Sequence, residues 1–158
     1  MELKKTPLHD IFLDSGARMT PFSGWDMPIQ FSSLMTEHQS VRENAGLFDI
    51  SHMGVFLVQG INAKDKLQYL VPTDLHKIGC GEACYSVLLN ENGGIIDDLI
   101  IYDLGYNNQD IDSLIIVINA GCIEQDISWI NKHLKKSNIS ISDFKKGNIL
   151  LALQGPQS

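Results

Sequence analysis

Two adjacent carboxylates near the middle of the chain have the residue type and the position to do chemistry. Asp97 and Asp98 follow the turn sequence Asn90-Glu91-Asn92-Gly93-Gly94 and lie in an apolar run that ends at Tyr102. A second, mostly apolar run, from Tyr85 to Leu89, precedes the turn. Because glycine adopts positive φ without steric cost, this pattern predicts a β-hairpin with the aspartates on its second strand.

Strand geometry decides which neighbours each aspartate has. Side chains alternate between the two faces of a strand. One predicted face therefore carries Ile96, Asp98, Ile100 and Tyr102, and the other carries Asp97, Leu99, Ile101 and Asp103. Burying an unpaired ion costs several kcal/mol. Two interpretations of Asp98 remain open: hydrogen bonds to nearby backbone, or a carboxylate that faces a ligand in a pocket.

Other polar residues are weaker candidates for a site. Asn119 ends an apolar strand and could contact a ligand or cap the helix that follows. His52 is more often structural than catalytic in such a position. Cys80 and Cys84 are spaced C-x3-C without a second ligand pair, so we expect no metal site. From the residues alone, the candidate polar cluster consists of Asp98, Tyr102 and Asn119.

The elements that must position these residues can be outlined from the sequence pattern. Residues 1–31 are interrupted by proline and glycine and are predicted to be an irregular, aromatic-rich loop that covers a core edge or lines a site. Helices are predicted after Ser32 or Ser33 to about residue 45, over 63–70 after Asn62, and over 121–136. Strands are predicted over 47–58, bent near Gly54, and over 113–120, 139–142 and 149–154, with a polar loop at 105–112. The class is α+β, with helices packed on a mostly antiparallel sheet.

Composition limits the classes of function. The chain has 158 residues, 44% of them hydrophobic, and a formal net charge of −7. This predicts one globular domain, or one and a fraction, and makes nucleic acid an unlikely partner. The apolar runs are too short to span a membrane, and the N-terminal residues have no secretory pattern. Three cysteines without framework spacing favour a reducing, cytoplasmic setting.

Several stretches together resemble a known family, the aminomethyltransferases or T-proteins of the glycine cleavage system. The resemblance runs from residue 5 to the last residue, and the motifs occur in family order. They are Lys5-Thr6-Pro7-Leu8, Phe22-Ser23-Gly24-Trp25-Asp26-Met27-Pro28, Val41-Arg42, Gly46-Leu47-Phe48-Asp49-Ile50-Ser51-His52-Met53-Gly54, Asn90-Glu91-Asn92-Gly93-Gly94-Ile95-Ile96-Asp97-Asp98-Leu99, Val117-Ile118-Asn119-Ala120 and Ala152-Leu153-Gln154-Gly155-Pro156.

The resemblance implies a reaction and a set of site residues. Members of the family transfer the one-carbon unit from the aminomethyl-lipoyl arm of H-protein to tetrahydrofolate, giving 5,10-methylenetetrahydrofolate and ammonia. The family's catalytic aspartate falls on Asp98. Its folate contacts fall on Leu57, Tyr85, Asp98, Tyr102, Val117 and Asn119, of which the residue pattern alone had not singled out Leu57, Tyr85 or Val117.

The resemblance also implies that the chain is the N-terminal folate-binding portion, residues 1–158, of a longer three-domain enzyme. We therefore expect weak folate binding and slow or absent transfer by this chain, together with exposed apolar surface. Two alternatives remain: the folate domain of a sarcosine or dimethylglycine dehydrogenase, and a non-catalytic folate-binding or partner-docking module. No flavin-binding stretch supports the first, and the Asp97-Asp98 motif argues against the second.

Overall fold

A computed structural model describes residues 2–106, 111–134 and 138–158. The chain forms two compact units. The first consists of residues 1–52 and 147–158, and the second of residues 53–146. Both contain antiparallel strands and helices, which confirms the α+β class.

The first unit begins with regular structure where the sequence predicts a loop. Helix α1, His9–Asp14, precedes an antiparallel hairpin of β1, Arg18–Phe22, and β2, Trp25–Gln30. The prediction of an irregular segment over residues 1–31 is therefore wrong. Ser23 and Gly24 both have positive φ, 47° and 82°, which is the geometry of a two-residue hairpin turn that suits the strand twist. The prolines interrupt the sequence pattern, but a two-stranded ribbon tolerates them because neither strand is central.

The rest of the first unit is a helix and a short strand pair. Helix α2, Leu34–Glu43, begins after Ser33 as predicted and ends two residues before the predicted limit. The Glu37 carboxylate accepts hydrogen bonds from the backbone amides of Phe31 and Ser32, at 2.9 and 2.6 Å. Strand β3, Gly46–Asp49, then pairs with β9, Leu151–Gln154.

The predicted continuous strand over residues 47–58 is wrong. The segment is divided between β3 in the first unit and β4, Gly54–Ile61, in the second. A turn separates the two strands, and the Asp49 carboxylate accepts a hydrogen bond from the Ser51 amide at 2.9 Å. Such an Asx-type contact competes with the strand ladder and ends the pairing. A Cβ atom on Gly54 would lie 2.7 Å from the side chain of Ile118, so the close approach requires glycine.

The second unit is built on a five-stranded antiparallel sheet. Its order is β5, Ala83–Leu89; β6, Ile95–Tyr106; β7, Ile111–Ile118; β4; and β8, Ile139–Asp143. The central place of β7 agrees with the prediction from its apolar residues. The loop predicted at residues 105–112 is shorter than expected, because β6 and β7 extend into it. Residues 107–110 of that prediction lie outside the described residues.

Helices cover one face of this sheet. Helix α3, Ala63–Gln68, follows Asn62 and is shorter than predicted, and a single 3-10 turn lies at Leu75–Lys77. Helix α4, Ile123–Leu134, matches the clearest helical pattern, while Lys135 and Lys136 lie outside the described residues. The core between the helices and the sheet consists of Val58, Ala63, Leu67, Leu70, Val71, Leu75, Leu88, Leu99, Ile101, Leu114, Ile116, Ile118, Ile130 and Leu134.

The hairpin predicted around the aspartates is present, and its turn is fixed by one side chain. The Asn90 side-chain oxygen accepts hydrogen bonds from the amides of Asn92 and Gly94, both at 2.9 Å. Gly93 has a φ of 77°, as the turn requires. Local sequence therefore determines where the strand carrying Asp97 and Asp98 begins.

The helices within the described ranges are short and amphipathic, and none of them has the length and apolar character needed to cross a membrane.

Candidate functional site

The strand register places five of the six predicted site residues, Leu57, Tyr85, Asp98, Tyr102 and Val117, on one face of the five-stranded sheet, and Asn119 follows the end of β7. Paired residues in an antiparallel sheet point to the same side. Tyr102 pairs with Ile115, which pairs with Leu57, and these form one row across the strands. In the next row, Tyr85 and Val117 flank Ile100. Asp98 belongs to the third row, opposite Val87. We call this surface the Asp98 face.

The Asp98 face lies on the other side of the sheet from the helices. Along β6, Leu99 and Ile101 are buried in the core, whereas Tyr102 is 41% exposed. The alternation predicted from the sequence is therefore confirmed. Three rows over four strands give a surface of roughly 14 Å in each direction.

Apolar groups form the middle of the Asp98 face and tyrosines lie toward its margin. Val117 is 8% exposed, and Leu57 and Ile100 are half-buried. Tyr85, on the outermost strand, is 65% exposed. An apolar floor with aromatic and hydroxyl groups at its edge suits a flat, partly apolar ring. Sequence reasoning missed Ile100 as a floor residue, although the same alternation that singled out Asp98 places it there.

Asn119 joins Asp98 to its neighbour Asp97. The Nδ2 atom of Asn119 lies 3.1 Å from Asp98 Oδ1 and 3.2 and 3.3 Å from the two Asp97 oxygens. It also lies 3.3 Å from the Asp98 backbone carbonyl. Only the nitrogen end of the amide can donate to these acceptors, which fixes its orientation. The Asn119 side chain thus faces the aspartates, while its backbone carbonyl accepts from Cys122 at the start of the helical segment.

Tyr85 contacts Asp98 from the adjacent strand. A side-chain hydrogen bond to Asp98 raises the pKa of the Tyr85 phenol, and partial burial and the charges of Asp98 and Asp97 act in the same direction. Asp98 therefore accepts hydrogen bonds from a phenol and an amide, and it is only partly buried. Its observed partners are thus the side chains of Tyr85 and Asn119.

A second acidic group, which sequence reasoning missed, lies behind the aspartates. Asp126 on α4 is fully buried, at 0% exposure. Burial raises the pKa of Asp126 to about 7, and a hydrogen bond with Asp97 and the charges of Asp97 and Asp98 add to this. Its signal in the sequence was an aspartate among Ile123, Ile127 and Ile130 on the apolar stripe of the helix.

The Cys122 thiol completes the surroundings of Asp97. Burial raises the pKa of Cys122, and the Asp97 charge and a hydrogen bond to Asp97 contribute. Asp97 is thus contacted by the Asn119 amide, the Cys122 thiol and the Asp126 carboxyl group. Sequence alternation placed Asp97 on the face of Leu99 and Ile101, which the helices cover, but gave it no partner.

The remaining candidates lie elsewhere. His52 follows β3 in a turn, and its ring stacks edge-on against Phe22 at 5.5 Å. Cys80 and Cys84 are both free thiols. Within the described residues, no three His, Cys, Asp or Glu side chains are arranged to hold a metal ion.

The aromatic residues of the N-terminal segment line a cavity of the first unit. Its volume is about 540 Å³, and Phe12, Met27, Ile29 and Phe31 are among its lining residues. The chemistry of this cavity is mainly apolar, in contrast to the Asp98 face.

Comparisons with known proteins show the family of this chain. A family model described as the GCVT N-terminal domain matches residues 8–158. The chain is 62% identical to an aminomethyltransferase of Prochlorococcus marinus strain MIT 9303 over 158 residues, which are 100% of this chain and 42% of that protein. It is 58% identical to one from Parasynechococcus marenigrum strain WH8102, with 100% of this chain and 43% of that protein covered.

A solved structure shows the same fold. The crystal structure of the glycine cleavage system aminomethyltransferase T from Bartonella henselae matches with a TM-score of 0.88 and 37% identity, covering 98% of this chain and 41% of that one. The chain spans about two fifths of the length of the curated relatives it matches. The family model covers most of the chain, and the chain therefore belongs to the GCVT N-terminal domain family.

Proposed function

We propose that the protein acts in aminomethyl transfer in the glycine cleavage system. In this reaction the one-carbon unit passes from the aminomethyl-lipoyl arm of H-protein to tetrahydrofolate, giving 5,10-methylenetetrahydrofolate and ammonia. The observation that carries the proposal is that Leu57, Tyr85, Asp98, Tyr102 and Val117 share one sheet face, and that the Asn119 amide donates to Asp98. The names of the relatives support the same reaction.

The apolar part of the Asp98 face suits the pterin ring of tetrahydrofolate. A flat ring can pack on Leu57, Ile100 and Val117, while Tyr85 and Tyr102 present ring faces and hydroxyls beside it. Asn119 offers directed hydrogen bonds at the polar end. Tetrahydrofolate, when bound, supplies the nitrogen atoms that accept the one-carbon unit.

Asp98 is the proposed catalytic residue. Its carboxylate stands at the boundary between the apolar floor and the polar end of the face, where it can hold a folate nitrogen in register. It can also accept or stabilise a proton at that nitrogen as the carbon–nitrogen bond forms. Asn119 and Tyr85 hold the carboxylate by hydrogen bonds, which limits its rotation.

The proposed partners follow from the reaction. They are the lipoylated H-protein, which delivers the aminomethyl group, and tetrahydrofolate, which receives it. The three cysteines are all free thiols, which supports a reducing, cytoplasmic setting.

A turnover assay tests the proposal. The full chain is supplied with aminomethyl-lipoyl H-protein and tetrahydrofolate, and methylenetetrahydrofolate and ammonia are measured. Loss of a proton-managing carboxylate typically costs about 10²- to 10⁴-fold in rate, so we expect Asp98→Asn to fall by at least about 100-fold. Glu124→Gln, an exposed substitution with the same charge change, should match the unmodified chain.

An equilibrium titration with tetrahydrofolate separates binding from catalysis. We expect Asp98→Asn to keep measurable folate binding, because the substitution preserves size and most packing. Unchanged turnover in Asp98→Asn would show that this residue has another role. If the chain binds tetrahydrofolate but forms no methylenetetrahydrofolate, the non-catalytic alternative replaces the proposed activity. If it does neither, the proposed function is wrong.

A further inference from the structure

Asp126 is a buried acid that the proposed reaction does not use. It is fully buried on the sheet-facing side of α4, and within the described part of the chain no N–H or neutral O–H group of another residue donates to either of its carboxyl oxygens. A buried carboxylate with no donor costs several kcal/mol. The position therefore requires a reason other than packing.

Asp126 faces another carboxyl group, that of Asp97. Two carboxyl groups can share a hydrogen bond only when one of them is protonated, since an ionised carboxylate has no donor. Of the two carboxyl groups, Asp97 is the one whose ionised form is stabilised by hydrogen-bond donors, because the Asn119 amide donates to it at 3.2 Å and the Cys122 thiol also contacts it. Asp126, deeper in the core and without such donors, is the group that holds the proton. The raised pKa of Asp126 agrees with this assignment.

A continuous chain of contacts leads from Asp126 through the sheet to the candidate site. Asp126 contacts Asp97 on the helix side of β6. The Asn119 amide reaches Asp97 and also Asp98, whose side chain lies on the other face. Tyr85 contacts Asp98 from β5. The amide has only two hydrogens for several acceptors, so a change at Asp97 alters its bond to Asp98.

We propose that Asp126 is a positioning residue for the folate site: its protonated carboxyl group donates a hydrogen bond to Asp97 and, through Asp97 and the Asn119 amide, fixes the orientation of Asp98. This inference rests on the proposed function for its consequence in folate binding. Ionisation of Asp126 removes a donor from Asp97 and adds a third negative charge. The Asn119 amide is then drawn toward Asp97, and Asp98 loses its fixed orientation.

The ionisation of Asp126 can be distinguished from that of the Cys122 thiol and the Tyr85 phenol nearby. Asp97 and Asp98 face it from β6, Cys122 faces it from the turn before α4, and Tyr85 contacts Asp98 from β5. The pKa values of Cys122 and Tyr85 are raised above their ordinary values of 9.0 and 10.0. Both groups therefore remain mostly protonated up to pH 8.5, the highest pH of the tests below.

The first test observes the proton directly and needs no folate. In the full chain labelled with ¹³Cγ-aspartate, the Asp126 carboxyl resonance should titrate near pH 7, and the Asn119 side-chain amide resonances should shift with the same midpoint. Asp126→Asn should remove that step from the Asn119 resonances, while Glu124→Gln should retain it. Titration of Asp126 near pH 4, or Asn119 resonances that do not respond, would overturn the inference.

The second test measures tetrahydrofolate affinity at pH 6 and pH 8.5. The unmodified chain and Glu124→Gln should bind more weakly at the higher pH. Asp126→Asn keeps a donor toward Asp97 and cannot ionise, so its affinity should equal that of the unmodified chain at pH 6 and should not change with pH. Asp126→Leu should bind about tenfold more weakly at both values, since a hydrogen bond to a charged group is lost.

The outcomes separate the inference from the proposed function. If Asp126→Asn binds tetrahydrofolate as weakly as Asp126→Leu, a donor at this position does not maintain the affinity, and the inference is wrong even while folate binding by the unmodified chain stands. Absence of folate binding by the unmodified chain would count against the proposed function, and the NMR titration would still decide where the proton lies. If Asp126→Leu does not fold, the comparison of Asp126→Asn with the unmodified chain remains decisive.

Discussion

At the scale of single residues, the site depends on one amide that serves two carboxylates. Asp98 could be singled out from the sequence, because strand alternation places it among isoleucines with Tyr102. The direction of the Asn119 amide could not, since a helix cap and a ligand contact fit the same pattern. Its bonds to Asp97 and Asp98 depend on the register of β6 against β7, which is set by tertiary pairing.

The raised pKa of Asp126 predicts how the free energy of unfolding depends on pH. Its folded pKa of about 7 is above the ordinary value of 3.8, so the unfolded chain releases this proton first as pH rises. The stability contribution of Asp126 therefore falls between about pH 4 and pH 7. Asparagine does not titrate, so the free energy of unfolding of Asp126→Asn, relative to the unmodified chain, should rise by about 1–2 kcal/mol from pH 5 to pH 7.5, allowing for screening by solvent.

Urea unfolding at the two pH values measures this difference, and Glu124→Gln provides the control at an exposed position of the same helix. A relative stability of Asp126→Asn that stays constant from pH 5 to pH 7.5 would mean that Asp126 is ionised throughout this range.

At the scale of elements, a buried ion pair holds α3 against the end of β6. Lys64 Nζ lies 2.6 Å from Asp103 Oδ2, and the two side chains are only 17% and 9% exposed. Lys64 Nζ also donates to the Ile78 carbonyl, and Asp103 Oδ1 accepts from the Gly105 amide. Alternation placed Asp103 on the face of Leu99 and Ile101, but its partner Lys64 is 39 residues away in the sequence, so the local pattern does not contain it.

Asp103→Leu should destabilise the second unit by about 3–5 kcal/mol, because it leaves the Lys64 ammonium buried without its counter-charge. The double substitution Asp103→Leu with Lys64→Met should recover most of this loss. Asp65→Ala is the matched control, since its pair with His76 is more than half exposed and contributes at most about 1 kcal/mol. Thermal unfolding measures all three variants; equal losses in the single and double variants would show that the uncompensated charge is not the cause.

In the segment of β1 and β2, proline and glycine residues led to the wrong prediction of a loop. Residues 18–30 contain Pro21, Gly24 and Pro28, and the pattern favoured a loop. The structure pairs this segment as β1 and β2 around Ser23 and Gly24. A two-residue turn with positive φ and a ribbon without central strands accommodate residues that would break a larger sheet.

At the scale of the whole molecule, the two units carry separate ionisable clusters. In the first unit, His9 is 3% exposed, and its ring nitrogens lie 3.0 Å from Asp10 Oδ1 and 2.9 Å from Asp26 Oδ2. The hydrogen bond to Asp10, followed by that to Asp26, raises the pKa of His9 above its ordinary value of 6.5. Both nitrogens can donate only when the ring is protonated.

The stability that His9 gives to the first unit should therefore be complete below pH 6.5 and should be lost as pH rises through its folded pKa. Hydrogen exchange of the amides in α1 and β2, corrected for intrinsic rates, should accelerate from pH 6 to pH 8.5. His9→Gln should exchange faster at pH 6 and show no further acceleration from this cause. Equal corrected rates in the unmodified chain at both pH values would contradict the charged-ring assignment.

The sequence by itself determined the α+β class, the hairpin with its glycine turn, the central apolar strand, helix α4 and the face on which Asp98 lies. These features depend on φ preferences and on apolar periods of two or 3.6 residues, which are local properties of the chain. Tertiary structure alone decided that residues 47–58 divide between two sheets, that Lys64 pairs with Asp103, and that Asp126 stands behind Asp97. These three features depend on contacts between groups that are distant in the sequence. Their hydrogen-bond partners and their exclusion from water are set by the packing of whole elements, which a local pattern does not contain.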